Sequence, residues 1–367
     1  MKLKALALGV ALALPALASA QGTNNVTLYG TIDTAINYVN HIGTNGEDYV
    51  GFNTQTNSSP SMWGIRGSEK ISDNLEALFK LESGFNTNTG NSLQGGRLFG
   101  REAWVGLKGD WGQVAVGRQY SMLFWSMLNS DIMGPNAHGL GGFDSYIPDR
   151  RHDNAITYRG TFSGVTVGAH YAKGRNDYSS TGGTAPCGVD VTQENACASY
   201  SGMLGYDAAN WGVNVAYDAL RAGKTTTTTP SDEDRRLAFN AWAKFDALKL
   251  GLVYMNRKND INPSAALGQR SDLWQLGASY ALTPAVTLDG TVNYINYKNA
   301  SESSKSWMYV ARVKYALSKR TSVYASAAYV NNRGQAASTA NSGVIGTYSP
   351  AAGNNQTAFM TGVRHNF

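Results

Sequence analysis

The side chains able to do chemistry in this chain are scattered, and none falls into a catalytic spacing. The sequence has no HExxH, no GxSxG, no glycine-rich phosphate loop and no dinucleotide fingerprint. Its five histidines, His41, His138, His152, His170 and His365, stand far apart and read as surface or loop residues. His170 has Ser163 nearby, yet no spacing favours a nucleophile and base, which also need an orienting third group. No Cys or His pairs stand at metal-ligand spacing, so neither a metal nor a cofactor is expected. What remains is charge set among apolar residues in extended segments. In "LFGREAWVGLKGDWGQVAVGRQY" (Leu98–Tyr120), Arg101, Glu102 and Lys108 precede a hinge at Gly109–Gly112, and Arg118 follows it. Arg66 shares the parity of Gly64, Ser68 and Lys70, while Trp63 and Ile65 take the other. Lys80 and Glu82 lie on the polar parity of their segment; Arg101 and Arg118 share parity with apolar neighbours. Guanidinium groups stay charged at any relevant pH, so fixed positive charge facing water is the chemistry these residues offer. It selects ions and makes no bonds.

The elements that must position these charges have a period of two. Val26, Leu28, Ile32 and Ile36 oppose Thr27, Tyr29, Asp33 and Asn37; Leu75, Ala77, Phe79 and Leu81 oppose Glu76, Lys80 and Glu82. Trp211, Val213, Val215 and Tyr217 oppose Asn214 and Asp218, and Val286, Leu288, Val292 and Tyr294 oppose Asp289 and Asn293. Trp307, Tyr309, Val313 and Tyr315 oppose Arg312 and Lys314. Such alternation over eight or more residues predicts strands. Between them, turn-forming clusters such as Ser163-Gly164, Ala209-Asn210 and Thr283-Pro284 alternate with long polar connections at 41–59, 86–96, 121–150, 174–198, 221–233, 259–269, 299–304 and 333–356. The breaks leave about sixteen strands, an even number within the range of outer-membrane barrels. Short turns at one rim and long loops at the other suit an up-and-down transmembrane barrel, whereas a soluble sandwich has no reason to sort connections by parity. One face of each strand would meet lipid and the other the water of a wide lumen. The fold class is therefore all-β, an antiparallel transmembrane β-barrel.

Composition narrows the class further. Residues 1–20 run from a basic start through an apolar stretch to Ala18-Ser19-Ala20, the pattern of a secretory signal peptide, which leaves 21–367 as the barrel domain. The apolar stretch is too short, and broken by Pro15, for a transmembrane helix, and no later stretch approaches the required length. Set against 26 Asp and Glu, the 31 Lys and Arg give +5, near +3 without Lys2 and Lys4. The cations form no dense run, so no nucleic-acid partner is expected. Cys187 and Cys197 stand close together in a polar segment; in an exported chain this predicts a local disulfide clipping a loop.

Several stretches together resemble one family: "VTLYGTIDTAI", "SMWGIRGSEKISDNLEALFKLESGF", "LFGREAWVGLKGDWGQVAVGRQY", "NAITYRG" and a terminal phenylalanine. They resemble the general diffusion porins of Gram-negative outer membranes, nearest the neisserial and β-proteobacterial type. The resemblance implies a sixteen-stranded barrel, a homotrimer, and an inward-folded third loop, here 121–150, that narrows the pore. It implies that Phe367 is the signal read by the barrel assembly machinery and that the barrel contacts outer-membrane lipid and lipopolysaccharide. Carried onto this sequence, the family's arginine cluster falls on Arg66, Arg101 and Arg151, with Lys80, Glu82 and Arg118 nearby. Where many members carry Pro-Glu-Phe-Gly-Gly in the loop, this chain reads "GPNAHGLGGFD", so the acids to face the arginines are sought among Asp131, Asp144 and Asp149. The function expected is a passive, water-filled channel for ions and small hydrophilic solutes, with mild anion preference. The rivals are a channel specific for a sugar or organic anion, disfavoured by the few aromatics of inward parity, an outer-membrane enzyme, and a secreted soluble β-protein.

Overall fold

A computed structural model describes residues 25–147, 150–173, 197–223, 229, 231–261, 267, 269–298, 303–343 and 348–367. The expected signal peptide, Asp149 and Cys187 lie outside them. The alternating stretches form strands β1 (Asn25–Ile42), β2 (Glu47–Phe52), β3 (Met62–Ser72), β4 (Leu75–Gly84), β5 (Glu102–Gly109), β6 (Gly112–Tyr120), β7 (Arg151–Phe162), β8 (Val165–Lys173) and β9 (Ala198–Asp207). They continue as β10 (Trp211–Arg221), β11 (Glu233–Phe245), β12 (Leu248–Asn259), β13 (Arg270–Ala281), β14 (Val286–Tyr297), β15 (Ser304–Ala316), β16 (Thr321–Arg333) and β17 (Gln356–Asn366).

These seventeen segments make sixteen staves, because β2 and β3 are halves of one. β3 pairs with the first half of β1 (Asn25 opposite Ser68 to Thr31 opposite Met62), and β2 with its second half (Ile36 opposite Phe52 to Ile42 opposite Glu47). Between them, residues 53–61 leave the wall and turn inward. Asn57 Nδ2 and Ser61 Oγ donate to Asp33 O at 3.1 and 2.9 Å, and Asn53 Nδ2 donates to Asn37 Oδ1 at 3.1 Å. The sequence reading leaves 41–59 as a plain loop, since six residues of strand in a Gly- and Asn-rich stretch carry too little alternation to stand out.

Every ladder is antiparallel between neighbours, and the sheet closes where β1 meets β17. Phe367 N donates to Gly30 O at 3.0 Å and Gly30 N to Phe367 O at 3.1 Å. Glycine suits the position, because a Cβ on residue 30 would stand 2.8 Å from the Met62 carbonyl oxygen and 2.4 Å from the Phe367 ring. Closure satisfies backbone groups that hydrocarbon cannot, and removes the edges an open sheet would expose.

Short connections at 73–74, 110–111, 163–164, 208–210, 246–247, 282–285 and 317–320 share one rim, and the long ones share the other. The turn at Ser163-Gly164 has positive φ at both residues (51° and 87°), as a two-residue hairpin with the strands' own twist needs. The faces sort as the alternation predicts. Val26, Leu28, Ile32 and Ile36 are exposed while Asp33 and Asn37 are fully buried; Leu288 and Val292 are exposed while Asp289, Thr291 and Asn293 are buried. Trp111, Phe162, Trp211, Phe245, Tyr280 and Tyr315 are exposed near the short-turn rim, where a bilayer interface favours amphipathic rings. An apolar surface running round the whole outside is far larger than a soluble monomer carries. It suits hydrocarbon.

Candidate functional site

The chain between β6 and β7 lies against the inner wall. Its first turn is the short helix α1 (Met122–Met127), packed on β8–β11. Met122, Leu123 and Met127 are buried, and fully burying such side chains is worth about 1.5–3 kcal/mol each. That apolar content explains why this loop does not extend into solvent. Met122 N donates to Ser201 Oγ at 2.8 Å, and Asn240 Nδ2 donates to Ser126 Oγ at 3.1 Å. The chain then crosses β12 and β13 over two glycines. A Cβ on Gly251 would lie 2.0 Å from Ser130 O, and one on Gly277 2.7 Å from Ile132 Cγ1. Farther on, Ala137 N donates to Asn57 O and Ser342 N to Ala137 O, each at 2.8 Å, and His138 Nδ1 sits 2.9 Å from Ser326 Oγ.

The return is fixed by charge. Arg236 on β11 donates from Nε and Nη2 to the two Asp144 oxygens at 2.8 and 3.2 Å, and Arg257 Nη1 lies 3.8 Å from Asp144. Asp234 takes both Arg257 Nε and Nη2 at 2.8 Å, and Arg236 Nη1 is 3.0 Å away. Tyr146, under the Arg236 guanidinium at 4.3 Å, donates to Asp218 Oδ1 at 2.9 Å. Burial alone would raise the Asp144 carboxyl, but the Arg236 and Arg257 guanidiniums outweigh it and hold it well below the usual carboxylate range. Burial, helped by Arg312, pushes the His138 imidazole down to about 3, so it is neutral in ordinary buffers. Burial raises the Asp131 carboxyl against the pull of Arg150.

On the wall formed by β1 and β3–β7 the arrangement is different. Tyr29 OH donates to Glu82 Oε2 at 2.8 Å, and Arg101 donates from Nε to Glu82 Oε1 at 2.6 Å and from Nη2 to Tyr120 OH at 2.9 Å. Arg151 Nη1 approaches Tyr120 OH at 3.5 Å, its guanidinium 5.4 Å from that ring. Lys80 lies 3.2 Å from Glu82 and also pairs with Glu102, which accepts from Trp104 Nε1 at 2.8 Å. Arg66 is exposed, its guanidinium 5.1 Å from the Tyr29 ring centroid. Between this wall and α1 lies a cavity of about 530 Å³. Arg66, Lys80, Lys108 and Arg159 line it with Glu102, Trp104 and Trp125. The Arg159 guanidinium is 3.6 Å from the Trp125 ring centroid.

Arg66, Lys80, Glu82, Arg101 and Arg151 are thus joined through Tyr29 and Tyr120. Arg101 lies with them despite its parity, because β5 begins only at Glu102 and the pleat does not govern the residue before it. Arg118 falls outside the group. Buried beneath Gly100, it donates to Gly100 O and to Asp153, each at 2.7 Å, where a bulge at Gly117 shifts the register of β6. Among the loop acids, Asp144 pairs with Arg236 and Arg257, not with Arg66, Arg101 or Arg151. Asp131 is half-buried beside Arg150 and Gln275, again away from those arginines. Asp149 is outside the described residues. Arg159, Arg236 and Arg257 escape the sequence reading, although Asp234, Arg236, Ala238 and Asn240 do share one parity against Leu237 and Phe239.

Two further expectations change. His138, His152 and His170 are buried, not at the surface: His152 Nε2 meets Tyr146 OH at 2.9 Å, and the His152 and His170 rings stand 5.1 Å apart. Tyr29 and Trp104, each on the inward parity of its strand, face inward with Trp125 of the loop, so the lumen holds more aromatics than the expectation of few allows. Cys197 is disulfide-bonded.

The model of the Gram-negative porin family matches residues 5–335. An outer membrane porin protein of Bordetella pertussis is 29% identical over 355 residues, covering 86% of this chain and 91% of that protein. Outer membrane porin protein 32 of Delftia acidovorans is 29% identical over 382 residues, covering 100% of each. Among solved structures, the anion-selective porin from Comamonas acidovorans has the same fold, with a TM-score of 0.77 at 24% identity over 94% of this chain and 100% of that one.

Proposed function

Because this chain belongs to the Gram-negative porins, we propose that the cavity beside Arg66 is the narrow part of its pore, bounded by loop 121–150, and that the pore prefers anions. The protein is an outer-membrane diffusion channel and carries no catalytic activity. The observation that carries the proposal is the charge around the cavity. Arg66, Lys80, Lys108 and Arg159 line it with Glu102; Lys80 is shared by Glu82 and Glu102 and Lys108 lies 3.9 Å from Glu76, so Arg66 and Arg159, with no ion pair among the described residues, carry the excess. On the far side Arg236 and Arg257 are neutralised by Asp144 and Asp234 and add little to the field in the water path. Low-dielectric walls focus the potential of the remaining cations, and anions entering the passage are concentrated there. Arg101 and Arg151 act from behind, orienting Glu82 and Tyr120, which in turn set Lys80 and Tyr29. The Comamonas porin is described as anion-selective; for this chain the preference rests on its own excess of cations.

Other family properties enter as proposals as well: a homotrimer, removal of residues 1–20 on export, and recognition of Phe367 by the barrel assembly machinery. Purified protein in planar bilayers should give stepwise, ohmic current increments that grow in proportion to salt. Folded barrel that inserts without increments would contradict the pore. A second reading, a channel specific for an organic anion, is favoured by one feature, the Arg159 guanidinium stacked on Trp125 with Trp104 in the same cavity. Saturable block of the current by an aromatic carboxylate would support it; current unaffected by such a solute would leave the general channel.

A further inference from the structure

Lysines of inward parity sit beside carboxylates in most of the barrel. Lys80 is shared by Glu82 and Glu102, Lys108 lies 3.9 Å from Glu76, and Lys314 lies 3.0 Å from Asp289. Lys244 on β11 and Lys249 on β12 break this rule. They flank the short turn at 246–247 and stand directly opposite each other in register, and neither has an ion-pair partner among the described residues. Asp246, in that turn, is exposed and pairs with neither. Both lysines face the lumen. On β11 Asn240, of the same parity as Lys244, donates to Ser126 of the loop; on β12 Gly251, of the same parity as Lys249, lies beneath the Ser130 carbonyl. The pair therefore lies between loop 121–150 and the short-turn rim. Trp242 stands beside it, its ring centroid 5.7 Å from Lys249 Nζ and its Nε1 donating to Asp207 Oδ1 at 2.7 Å. Asp207 is thus tied to the indole and to neither ammonium. Like charges directly opposite on neighbouring strands repel, so an anion seated between these two relieves them.

We infer that Lys244 and Lys249 form a second anion site, on the short-turn side of the loop, that takes a multivalent oxyanion such as diphosphate, shared by the two ammoniums. The inference rests on reading the lumen as an anion pore and adds a station on the wall opposite Arg66. A lone ammonium in water holds a monovalent anion weakly, because both are well hydrated. Two ammoniums on adjacent strands, with backbones about 5 Å apart, each donate to a different oxygen of one anion. A multivalent charge offsets their mutual repulsion where a single chloride does so only in part. The Trp242 ring adds an apolar wall that keeps water from one side of Lys249 and strengthens the attraction. Inward parity excludes a lipid phosphate as the occupant, since the face that meets lipid here carries Leu252, which is exposed. Sidedness follows from the position. An oxyanion entering from the short-turn rim reaches the pair without passing the loop, whereas one from the other rim must first cross the narrow part of the pore.

The full-length barrel, inserted in one orientation into a planar bilayer in constant chloride, can be titrated with inorganic diphosphate from each side in turn. Chloride current through wild type should fall at a lower diphosphate concentration from one side than from the other. Lys244→Gln and Lys249→Gln should each raise the concentration needed on the sensitive side about threefold, and the double variant about tenfold, which removes the difference between sides. Lys249→Arg keeps the charge and should keep the sidedness. Lys319→Gln, on the same rim but exposed on the turn at 317–320, should behave as wild type. Equal block from both sides of wild type, no block from either side, or sidedness that survives in the double variant would overturn the site. Arg66→Gln should weaken the ion preference read from the reversal potential and leave the sidedness of diphosphate block in place. Failure of the lysine pair is thereby separable from failure of the anion preference.

Discussion

On the β11–β12 side of the lumen Arg236 and Arg257 are matched by Asp144 and Asp234; Arg236 and both acids are buried, and Arg257 is half-buried beside them. On the β3–β5 side Lys80 and Arg101 share Glu82 and Glu102, and Arg66 stands over Tyr29 with no carboxylate of its own among the described residues. The same residue type therefore does two jobs, and burial decides which. A charge removed from water needs a partner, since stranding one costs several kcal/mol; a charge left in water needs none and can act on passing ions. The first wall holds a loop in place. The second leaves cations facing the passage.

That contrast breaks most sharply at Arg236. Arg236→Gln would leave Asp144 and Asp234 buried with one cation fewer, a loss of about 3–5 kcal/mol in loop anchorage. Conductance should become larger and noisier, and loop 121–150 should become open to protease; quiet, wild-type steps would show that the Asp144 contact is not the anchor. Next comes Gly251→Ala, which sets a methyl group against the Ser130 carbonyl, a backbone atom that must shift. Overpacking of this kind costs about 1–3 kcal/mol, visible as a lower thermal midpoint, and an unchanged midpoint would mean the loop is not pressed on β12.

Acid should loosen the two ends of the loop in order. The folded His138 value, about 3, lies below its unfolded value, so below about pH 6.5 the unfolded chain takes up a proton that the folded one refuses. Its contribution is whole above that pH and falls by about 1.4 kcal/mol per unit on the way down toward 3. The Asp144 carboxyl is depressed, so its contribution stays intact until pH falls below the ordinary carboxylate range. Thermal stability should therefore drop between about pH 6.5 and about 4.5, and His138→Gln should flatten that drop; a slope untouched by the substitution would remove His138 from it. The smallest effect on stability is expected at Arg66→Gln, within about 0.5 kcal/mol, while ion preference weakens measurably. In wild type the preference should shrink as salt rises and the screening length falls from about 10 Å at 0.1 M to about 3 Å at 1 M.

How much of this is legible in the sequence follows from which contacts are local. The staves are, because the period of two survives intact in stretches such as Trp211–Tyr217 and Val286–Tyr294, and because turn chemistry at Ser163-Gly164 or Ala209-Asn210 marks their ends. The split into β2 and β3 is not, since the inward excursion at 53–61 is held by the Asp33 backbone and the Asn37 side chain, which no periodicity reports. Parity places Arg66; it does not place Arg101, which precedes its strand, and only the family resemblance brings that residue inward. The partner of Asp144 is beyond reach, because it lies 92 residues away across the lumen and depends on the path the loop takes over Gly251 and Gly277. Burial of the histidines is hidden for a similar reason: the residues that cover them, Tyr146 and Ser326 among them, come from other elements.

The sign of the reversal potential across a salt gradient, taken on the wild-type channel in a planar bilayer, bears most directly on which wall governs the pore. With Arg66 and Arg159 beside the water path without an ion pair among the described residues, and Arg236 and Arg257 neutralised, the potential should take the sign of an anion-selective channel. A clearly cation-selective potential would contradict that division of labour between the two walls.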